Sequence, residues 1–254
     1  MKKIYGIVGH PVGHSLSPAM QEAAFRSLGI DAEYRVFDVA PEGLEEFLSS
    51  LSGNGISGVN VTIPHKIRAK GYIASAGCLD KEAEKLGAVN TVNVEDGRLK
   101  GYNTDGAGFY RSLVLDLKFE PEGKTVFVLG CGGAASAIVM YLGLGPRRIF
   151  AADTDSAKVE GLEKRFRDYF KSDAMKAVDA GDAGKFLGES DLLVNATPLG
   201  MREGDPLPID PALLGRGLYV YDLVYNRPRT ALVIEASRRK LHAVTGRGML
   251  VYQG

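Results

Sequence analysis

Five polar residues in predicted loops or at predicted strand ends have side chains suited to bind and act on a hydroxylated, negatively charged small molecule. They are Ser15, Thr62, Lys66, Asn90 and Asp105. The hydroxyls and the amide supply neutral hydrogen bonds, the lysine supplies a positive charge, and the aspartate supplies a second titratable group. Taken singly, such residues also have ordinary structural interpretations: an asparagine can form a turn and a lysine can be a solvated surface charge. The neighbouring Ser17 can likewise be a helix cap. The combination of the five, rather than any one of them, predicts a small-molecule site.

A glycine-rich turn follows the apolar run 126–129 and indicates a second kind of chemistry. This glycine turn and the small residues after it comprise Gly130, Gly132, Gly133, Ala134 and Ala135. A strand, a tight glycine turn and a helix in this order are typical of a dinucleotide-binding βαβ unit. Glycine permits positive φ and lets the backbone approach a pyrophosphate, which then meets the free N–H groups of the helix. An ordinary strand–turn–helix connection has the same spacing, so the surrounding sequence must decide between the two.

Alternating strands and helices position both features. The sequence predicts strands at 4–8, 33–39, 58–63, 124–129, 147–152, 191–196 and 219–224, helices between most of them, and a hairpin at 91–100. This alternation predicts an α/β fold with a mainly parallel sheet. Because parallel sheets bind ligands beyond the carboxyl ends of their strands, the polar residues and the glycine turn fall where a site is expected.

Composition and charge exclude several classes of protein. Of the 254 residues, 45% are hydrophobic and 24% are charged, as in average globular proteins. Lys+Arg and Asp+Glu both number 31, which gives no electrostatic footprint for nucleic acid or an anionic membrane. The two cysteines, Cys78 and Cys131, lie far apart in the chain, so we expect reduced thiols and no metal site. The first apolar run is too short for a signal peptide and no run could span a bilayer, so we expect a cytoplasmic protein.

Eight motifs, in order and spread over essentially the whole chain, make the sequence similar to the shikimate dehydrogenase family. They are Ser15–Pro18, Asn60–Lys66, Gly87–Thr91, Gly101–Gly106, Gly130–Ala135, Asn195–Met201, Asp222–Tyr225 and Gly248–Gln253. The resemblance implies an N-terminal α/β substrate domain, residues 1–104 and 240–254, with a mainly parallel sheet. It also implies a Rossmann-type NAD(P)-binding domain, residues 105–239. The chain ends at Gly254, directly after Gln253, whereas the family usually continues with a helix that packs on the first domain.

The resemblance also implies an activity: reversible hydride transfer between C3 of shikimate and NAD or NADP, which interconverts shikimate and 3-dehydroshikimate in chorismate and aromatic amino-acid biosynthesis. By the family pattern, Ser15 and Ser17 hold the substrate carboxylate. The other substrate-binding residues are Thr62, Lys66, Asn90, Asp105, Tyr225 and Gln253, of which Thr62, Asn90, Asp105 and Gln253 bind ring hydroxyls. Family members are monomers or homodimers.

Lys66 and Asp105 are implied to be the catalytic pair. Oxidising an alcohol by hydride loss leaves a proton to remove, and an adjacent base lowers that barrier. A lysine acts as a base only if its pKa is depressed toward neutrality, whereas a neighbouring carboxylate favours the charged ammonium. We therefore treat Lys66 and Asp105 as a coupled pair and leave open which of them is the base.

The residues implied to bind the cofactor include a departure from the family pattern. They are Gly130, Gly132, Gly133, Ala134, Asp153, Thr154, Thr197, Val224, Gly246 and Met249. NADP-using members typically place Asn-Arg-Thr where this chain has Asp153-Thr154-Asp155. An acidic side chain at this strand end accepts hydrogen bonds from a ribose 2′-hydroxyl and repels a 2′-phosphate. Ser136, where the family often has arginine, removes another phosphate partner, so we expect NAD to be preferred over NADP.

Several alternatives stay open at this point. Asp153 could be only a helix cap, with Arg165 or Arg167 reaching the 2′-phosphate instead. The enzyme could be a quinate or dual quinate/shikimate dehydrogenase, although the serine pair Ser15 and Ser17 favours shikimate. It could also be a catalytically weak ligand-binding or regulatory relative, although the presence of both Lys66 and Asp105 disfavours this.

Overall fold

The chain divides into two units in the computed structural model, which describes residues 2–13 and 15–254. The first unit ends at Thr104 and also takes in Gly254, and the second comprises Asp105–Gln253. Within the described residues, none of the helices combines the length and the apolar character that crossing a membrane requires. The same residues contain no cluster of three or more His, Cys, Asp or Glu side chains that could hold a metal ion.

The first unit is a six-stranded sheet with helices packed on it. Its elements in chain order are β1 (Lys3–Gly9), α1 (Ser17–Leu28), β2 (Ala32–Asp38), α2 (Leu44–Ser50), β3 (Ile56–Val61), α3 (Lys66–Ala76), β4 (Cys78–Leu79), α4 (Lys81–Leu86), β5 (Thr91–Glu95) and β6 (Arg98–Tyr102). The strand order is β2-β1-β3-β5-β6-β4. Helix α2 shows why these helices pack on the sheet: Leu44 and Leu48, one turn apart, are fully buried. Each such leucine contributes about 1.5–3 kcal/mol of hydrophobic stabilisation.

The direction of β5 decides which strand ends lie together in the first unit. Strands β1, β2 and β3 are parallel, whereas β5 is antiparallel to both β3 and β6. The β5–β6 turn has positive φ at both Asp96 and Gly97, as a tight hairpin requires. The start of β5 therefore lies at the same edge as the ends of β1, β3 and β6. Four loops that are distant in sequence share one edge of the sheet.

The second unit has a fully parallel six-stranded sheet. Its elements are α5 (Asp105–Leu115), β7 (Thr125–Leu129), α6 (Gly133–Leu142), β8 (Arg148–Ala152), α7 (Ser156–Phe170), β9 (Met175–Ala177), α8 (Ala183–Leu187), β10 (Leu192–Asn195), β11 (Tyr219–Asp222), α9 (Ala231–Arg238), β12 (Ala243–Thr245) and α10 (Arg247–Gln253). The strand order is β12-β11-β10-β7-β8-β9. All five residues of the central strand β7 are buried, because helices cover both faces of a parallel sheet.

Residues 240–253 pack with the second unit, whereas the family resemblance assigned this segment to the substrate domain. Two contacts are responsible for the difference. Strand β12 extends the second sheet by pairing with β11, and α10 packs against α5. Gly108 on α5 permits the close approach, since a Cβ there would lie 2.8 Å from the Gln253 Cβ. The positions of Met249 and Gln253 are therefore set by α5.

Candidate active site

Two of the substrate-binding residues predicted in the first unit, Thr62 and Asn90, lie at the shared edge of its sheet. The Thr62 N–H donates to the Val8 carbonyl at 2.9 Å, which places Thr62 beside the end of β1. The Val61 N–H donates to the Asn90 carbonyl at 2.7 Å, and the Asn90 N–H donates to the Tyr102 carbonyl at 3.0 Å. These bonds bring the end of β3, the start of β5 and the end of β6 together. Thr62 and Asn90 are thus neighbours although 28 residues separate them in the sequence.

The Asn90 side chain is held in one orientation. Its Nδ2 donates to Thr104 Oγ1 at 2.9 Å, and its Oδ1 accepts from the Thr104 N–H at 3.0 Å. The Thr91 hydroxyl also donates to Asn90 Oδ1 at 3.1 Å. Asn90 is only 4% exposed, and a buried amide with its donors and acceptors fixed is a directional group for a ligand hydroxyl. The turn-former interpretation does not account for this arrangement.

Ser17 is not a helix cap. Helix α1 begins at Ser17 itself, and its N-cap is Leu16, which has an apolar side chain. The Ser17 N–H donates to Ser15 Oγ at 3.2 Å, which joins the two serines in one turn. The Ser17 hydroxyl lies beside Tyr34, where it lowers the pKa of the phenol against the larger, raising effect of burial. The two serines thus lie together in the loop after β1, with Ser17 buried.

Tyr34 connects the serine pair to Asn90, and the sequence did not single it out. The Tyr34 hydroxyl donates to Asn60 Oδ1 at 2.6 Å, and Asn60 Nδ2 donates to Thr91 Oγ1 at 3.1 Å. Since Thr91 in turn bonds Asn90, a continuous chain of hydrogen bonds runs from Tyr34 to Asn90. Burial raises the pKa of Tyr34, so the phenol stays protonated. A tyrosine in a half-buried strand is ordinarily a core residue, and only its contact with Asn60 distinguishes it.

Lys66 is the first residue of α3 and is half-buried. The loop before it is fixed by His65, whose Nε2 lies 2.7 Å from the Val39 carbonyl oxygen. The Lys66 carbonyl accepts a hydrogen bond from the Val89 N–H at 2.9 Å. Both bonds define the place of the Lys66 backbone next to Asn90. Burial lowers the pKa of His65, so this imidazole is held in its neutral form.

The remaining predicted substrate residues belong to the second unit. Asp105 is the first residue of α5 and is fully buried. Tyr225 follows β11 after a short loop, and Gln253 is the last residue of α10. The predicted set of substrate residues is therefore drawn from both units of the chain.

The glycine turn of the second unit is shaped to hold a dinucleotide phosphate. Gly130 has φ of +89°, and a Cβ there would lie 2.9 Å from the backbone of Ala196. Gly132 is the N-cap of α6 and has no side chain with which to occupy the helix N–H groups. Among the described residues, no atom outside Gly132 and its neighbours in the chain lies within 4 Å of where a Gly132 Cβ would be. The N–H groups at an uncapped helix N-terminus favour anions, so these residues fit the phosphates of a dinucleotide.

Asp153 is bonded to the glycine turn rather than capping a helix. Its Oδ2 accepts from the Cys131 N–H at 2.7 Å, and its Oδ1 accepts from the Asp155 N–H at 3.0 Å. The N-cap of α7 is Asp155, so the helix-cap interpretation of Asp153 is wrong. Burial would raise the pKa of Asp153, but the N–H groups of Asp155 and Cys131 lower it below its usual value. A negative charge is thus held at the end of β8.

The two arginines considered as phosphate partners both belong to α7. The Arg165 guanidinium donates to the hydroxyl of Ser136 at 2.6 Å. Ser136 is buried, so this arginine points into the contact between α6 and α7. Arg167 lies in the last turn of α7, about 16 Å along the helix axis from Ser156. Arg165 is thus held at the first turn of α6, and Arg167 lies about three turns along α7 from its start.

The other predicted cofactor residues lie in the loops after β10 and β11 and at the start of α10. Val224 is held from two sides, because its carbonyl accepts from the Gly246 N–H at 3.1 Å and its N–H donates to Asp222 Oδ1 at 3.2 Å. A side chain at position 246 would overlap the backbone of Leu223, which explains the glycine. Met249 is buried in α10. These loops end at the same edge of the sheet as the glycine turn.

A fully parallel sheet, an open glycine turn and an acidic residue after the second strand of that sheet define a Rossmann-type dinucleotide-binding protein. The family model for the shikimate dehydrogenase substrate binding domain matches residues 7–92. A shikimate dehydrogenase (NADP(+)) from Methanopyrus kandleri is 42% identical over 255 residues, which cover 99% of this chain and 87% of that protein. The chain belongs to the shikimate dehydrogenase family.

Solved structures agree with this assignment. A shikimate dehydrogenase in complex with NADP+ matches with a TM-score of 0.90 and 36% identity, covering 99% of this chain and 87% of that one. A shikimate 5-dehydrogenase from Listeria monocytogenes, solved with shikimate and NAD, matches with a TM-score of 0.85 and 32% identity over 99% and 89% of the two chains. The predicted family and fold class are confirmed. The names of these relatives do not favour the quinate alternative.

Proposed function

We propose that this protein catalyses the reversible oxidation of shikimate to 3-dehydroshikimate with a nicotinamide cofactor. The observation that carries the proposal is the match over nearly the whole chain to relatives named for this activity. The fixed polar groups at the edge of the first sheet and the open glycine turn of the second unit support it. The first unit supplies most of the proposed substrate contacts, and the second supplies the proposed cofactor site.

Shikimate is a carboxylate with several ring hydroxyls, and the proposed contacts follow from that chemistry. Ser15 and Ser17 bind its carboxylate, and Thr62, Asn90, Asp105 and Gln253 bind ring hydroxyls, with Tyr225 as a further contact. The bonds that fix Asn90 and the joined serine pair support these roles, because groups that are already oriented lose little entropy when a ligand binds.

Lys66 and Asp105 are proposed to share the acid–base role. The bound nicotinamide supplies the chemistry of accepting a hydride. When the hydrogen on C3 leaves with its electron pair, the hydroxyl proton at C3 must be removed, and the Lys66–Asp105 pair takes it. In the reverse direction the same pair returns the proton to the carbonyl oxygen. The loop before Lys66 is fixed by the contact between His65 and Val39, which holds the lysine backbone in place for this transfer.

The second unit is proposed to hold the cofactor. The backbone of Gly130, Gly132, Gly133 and Ala134 faces the phosphates, Asp153 and Thr154 face the adenosine ribose, and Thr197, Val224, Gly246 and Met249 lie along the rest of the molecule. NAD is proposed to be preferred, although the Methanopyrus relative is named for NADP(+). A carboxylate with a lowered pKa at the end of β8 repels a 2′-phosphate, and Arg165 is bonded to Ser136.

Isotope transfer tests the proposed reaction. Shikimate carrying deuterium at C3 is incubated with the protein and either oxidised cofactor, and the reduced cofactor is examined by NMR. We expect the deuterium to appear on the nicotinamide ring and an equal amount of 3-dehydroshikimate to form. Turnover that left the deuterium on the product or released it to water would contradict hydride transfer from C3. Unlabelled shikimate serves as the control.

A further inference from the structure

Asn195 and Asp222 form a buried pair at the carboxyl edge of the second sheet. They are the last residues of neighbouring strands β10 and β11 and lie directly opposite each other in the strand register. Asn195 Nδ2 donates to Asp222 Oδ1 at 2.9 Å. Both residues are fully buried. We call them the Asn195–Asp222 pair.

Asn195 controls the loop that follows its own strand. Its Oδ1 accepts from the Thr197 N–H at 3.1 Å and from the Thr197 hydroxyl at 2.7 Å. Its Nδ2 also donates to the Leu199 carbonyl at 3.2 Å. The Asn195 side-chain amide therefore bonds three groups of its loop and, in addition, Asp222 on the neighbouring strand. These four bonds use its full donor and acceptor capacity.

Asp222 holds the loop after β11 and the start of helix α9 by hydrogen bonds. Its Oδ1 accepts from the Val224 N–H, and its Oδ2 accepts from the Thr230 hydroxyl at 2.6 Å. Thr230 is the N-cap of α9 and accepts from the Val233 N–H at 3.2 Å. Only a carboxylate can accept from all three donors, Asn195, Val224 and Thr230, without presenting a donor of its own. An asparagine of the same shape would place an N–H₂ group where an acceptor is needed.

We propose that the Asn195–Asp222 pair is a positioning device for the cofactor, which acts by fixing Thr197 and Val224 before the cofactor binds. This inference rests on the proposed roles of Thr197 and Val224 as cofactor contacts. Neither member of the pair is proposed to touch the cofactor, because both are enclosed by the loops that they hold. A cofactor that meets ordered loops does not have to supply the free energy for ordering them. Loss of the pair should therefore weaken cofactor binding.

Asp222→Asn tests the proposal, and Asp191→Asn is its matched control. Asp191 precedes β10 at the opposite, amino edge of the same sheet, where its Oδ2 accepts from the Thr125 N–H at 2.8 Å. Dissociation constants for NADH and NADPH are measured with each variant by the fluorescence of the reduced nicotinamide, without substrate. We expect roughly tenfold weaker binding for Asp222→Asn and unchanged binding for Asp191→Asn. Shikimate binding, measured by calorimetry, should be unchanged in both.

Two further measurements keep the test decisive. Amide hydrogen exchange at Thr197 and Val224 should be faster in Asp222→Asn than in the wild type, whereas Asp191→Asn should leave it unchanged. Asn195→Ser, which removes the amide but keeps a polar side chain, should reproduce the weaker cofactor binding if Asp222→Asn does not fold.

The outcomes separate this inference from the proposed function. Equal loss of cofactor affinity in Asp222→Asn and Asp191→Asn, or no loss in either, would overturn the positioning role while leaving the proposed function intact. A wild-type protein that bound neither NADH nor NADPH would overturn the proposed function itself, and this inference with it.

Discussion

The Asp153 carboxylate accepts a hydrogen bond from the backbone N–H of Cys131 at 2.7 Å. The acidic residue after the second strand of the parallel sheet is thereby bonded to the glycine turn after the first. This bond holds a carboxylate beside the proposed phosphate site, and the carboxylate keeps its charge because its pKa is lowered. The proposed preference for NAD over NADP rests on this relationship.

Replacing the acidic segment should change cofactor preference. The triple substitution Asp153→Asn, Thr154→Arg and Asp155→Thr removes two carboxylates and adds a guanidinium that can pair with a 2′-phosphate. We expect the ratio of kcat/KM for NADP to kcat/KM for NAD to rise by about 100-fold, which corresponds to about 2.7 kcal/mol. Asp168→Asn, an exposed change far along α7, should leave the ratio unchanged. An unchanged ratio in the triple variant would remove the proposed basis of NAD preference.

Tyr34→Phe should weaken substrate binding without affecting the cofactor. The substitution removes the hydroxyl that donates to the half-buried Asn60 and lies beside the buried Ser17, so Asn60 Oδ1 loses this donor. We expect the KM for shikimate to rise about tenfold and the free energy of unfolding to fall by about 1–3 kcal/mol. Steady-state kinetics and urea unfolding measure the two effects.

Tyr5→Phe is the matched control for Tyr34→Phe. The Tyr5 ring contacts Phe25, which contacts Tyr34, so both tyrosines belong to one aromatic cluster. The Tyr5 hydroxyl lies outside the chain of hydrogen bonds from Tyr34 to Asn90. Equal changes in the KM for shikimate in the two variants would show that the Tyr34 hydroxyl has no special role.

The two cysteines should differ sharply in reactivity. Cys78 is exposed, whereas Cys131 is buried in the glycine turn. Burial raises the pKa of the Cys131 thiol to about 12, so almost no thiolate is present near neutral pH. Mass spectrometry after iodoacetamide treatment should find one label on the native protein and two after denaturation. The native Cys78→Ser variant should take up no label. Labelling of Cys131 in that variant would contradict the burial of its thiol.

Stability should fall on acidification through the titration of His65. Because burial lowers its pKa in the folded chain, the unfolded chain binds more protons below the usual histidine pKa of 6.5. The contribution of neutral His65 to folding stability is therefore complete above pH 6.5. It is lost as the pH falls toward the lowered pKa of His65 in the folded chain. His65→Gln keeps an N–H donor for the Val39 carbonyl but cannot titrate, so its Tm should depend less on pH in this window. Parallel Tm curves for the two proteins would contradict this.

Lys66→Ala should lower kcat far more than it raises the KM for shikimate. Loss of a proton-transfer group typically costs about 10²–10⁴ in rate, and a group that acts mainly in the transition state affects kcat rather than KM. Lys70→Ala, one turn further along α3, is the matched control and should leave both constants unchanged. A large KM effect with kcat intact would make Lys66 a binding residue only.

Much of the fold could be predicted because its signals are local. The apolar run before Gly130 and the glycine spacing place β7 and α6 correctly, since a turn with positive φ and a parallel strand each impose their own residue types. The 91–100 hairpin was likewise readable from its Asp-Gly turn. In each case, the strand, turn or helix is specified by residues that lie within it.

The partners across the fold could not be predicted from the sequence. Tyr34 and Asn60 are 26 residues apart, and Cys131 and Asp153 are 22 apart. Periodicity shows which side of a strand is buried but not which residue on another strand it meets. The packing of α10 on α5 depends on small residues such as Gly108 on the neighbouring helix, which a single sequence does not relate to Gln253. The domain assignment of residues 240–253 differed from the structure for this reason.

Initial rates with shikimate and with quinate, each against NAD and NADP, test the central claim most directly. The readout is the absorbance of the reduced nicotinamide. The account predicts turnover of shikimate, with a higher kcat/KM for NAD than for NADP, and little or no turnover of quinate. No turnover of shikimate with either cofactor would contradict the account and would instead indicate a ligand-binding or regulatory relative of the enzyme.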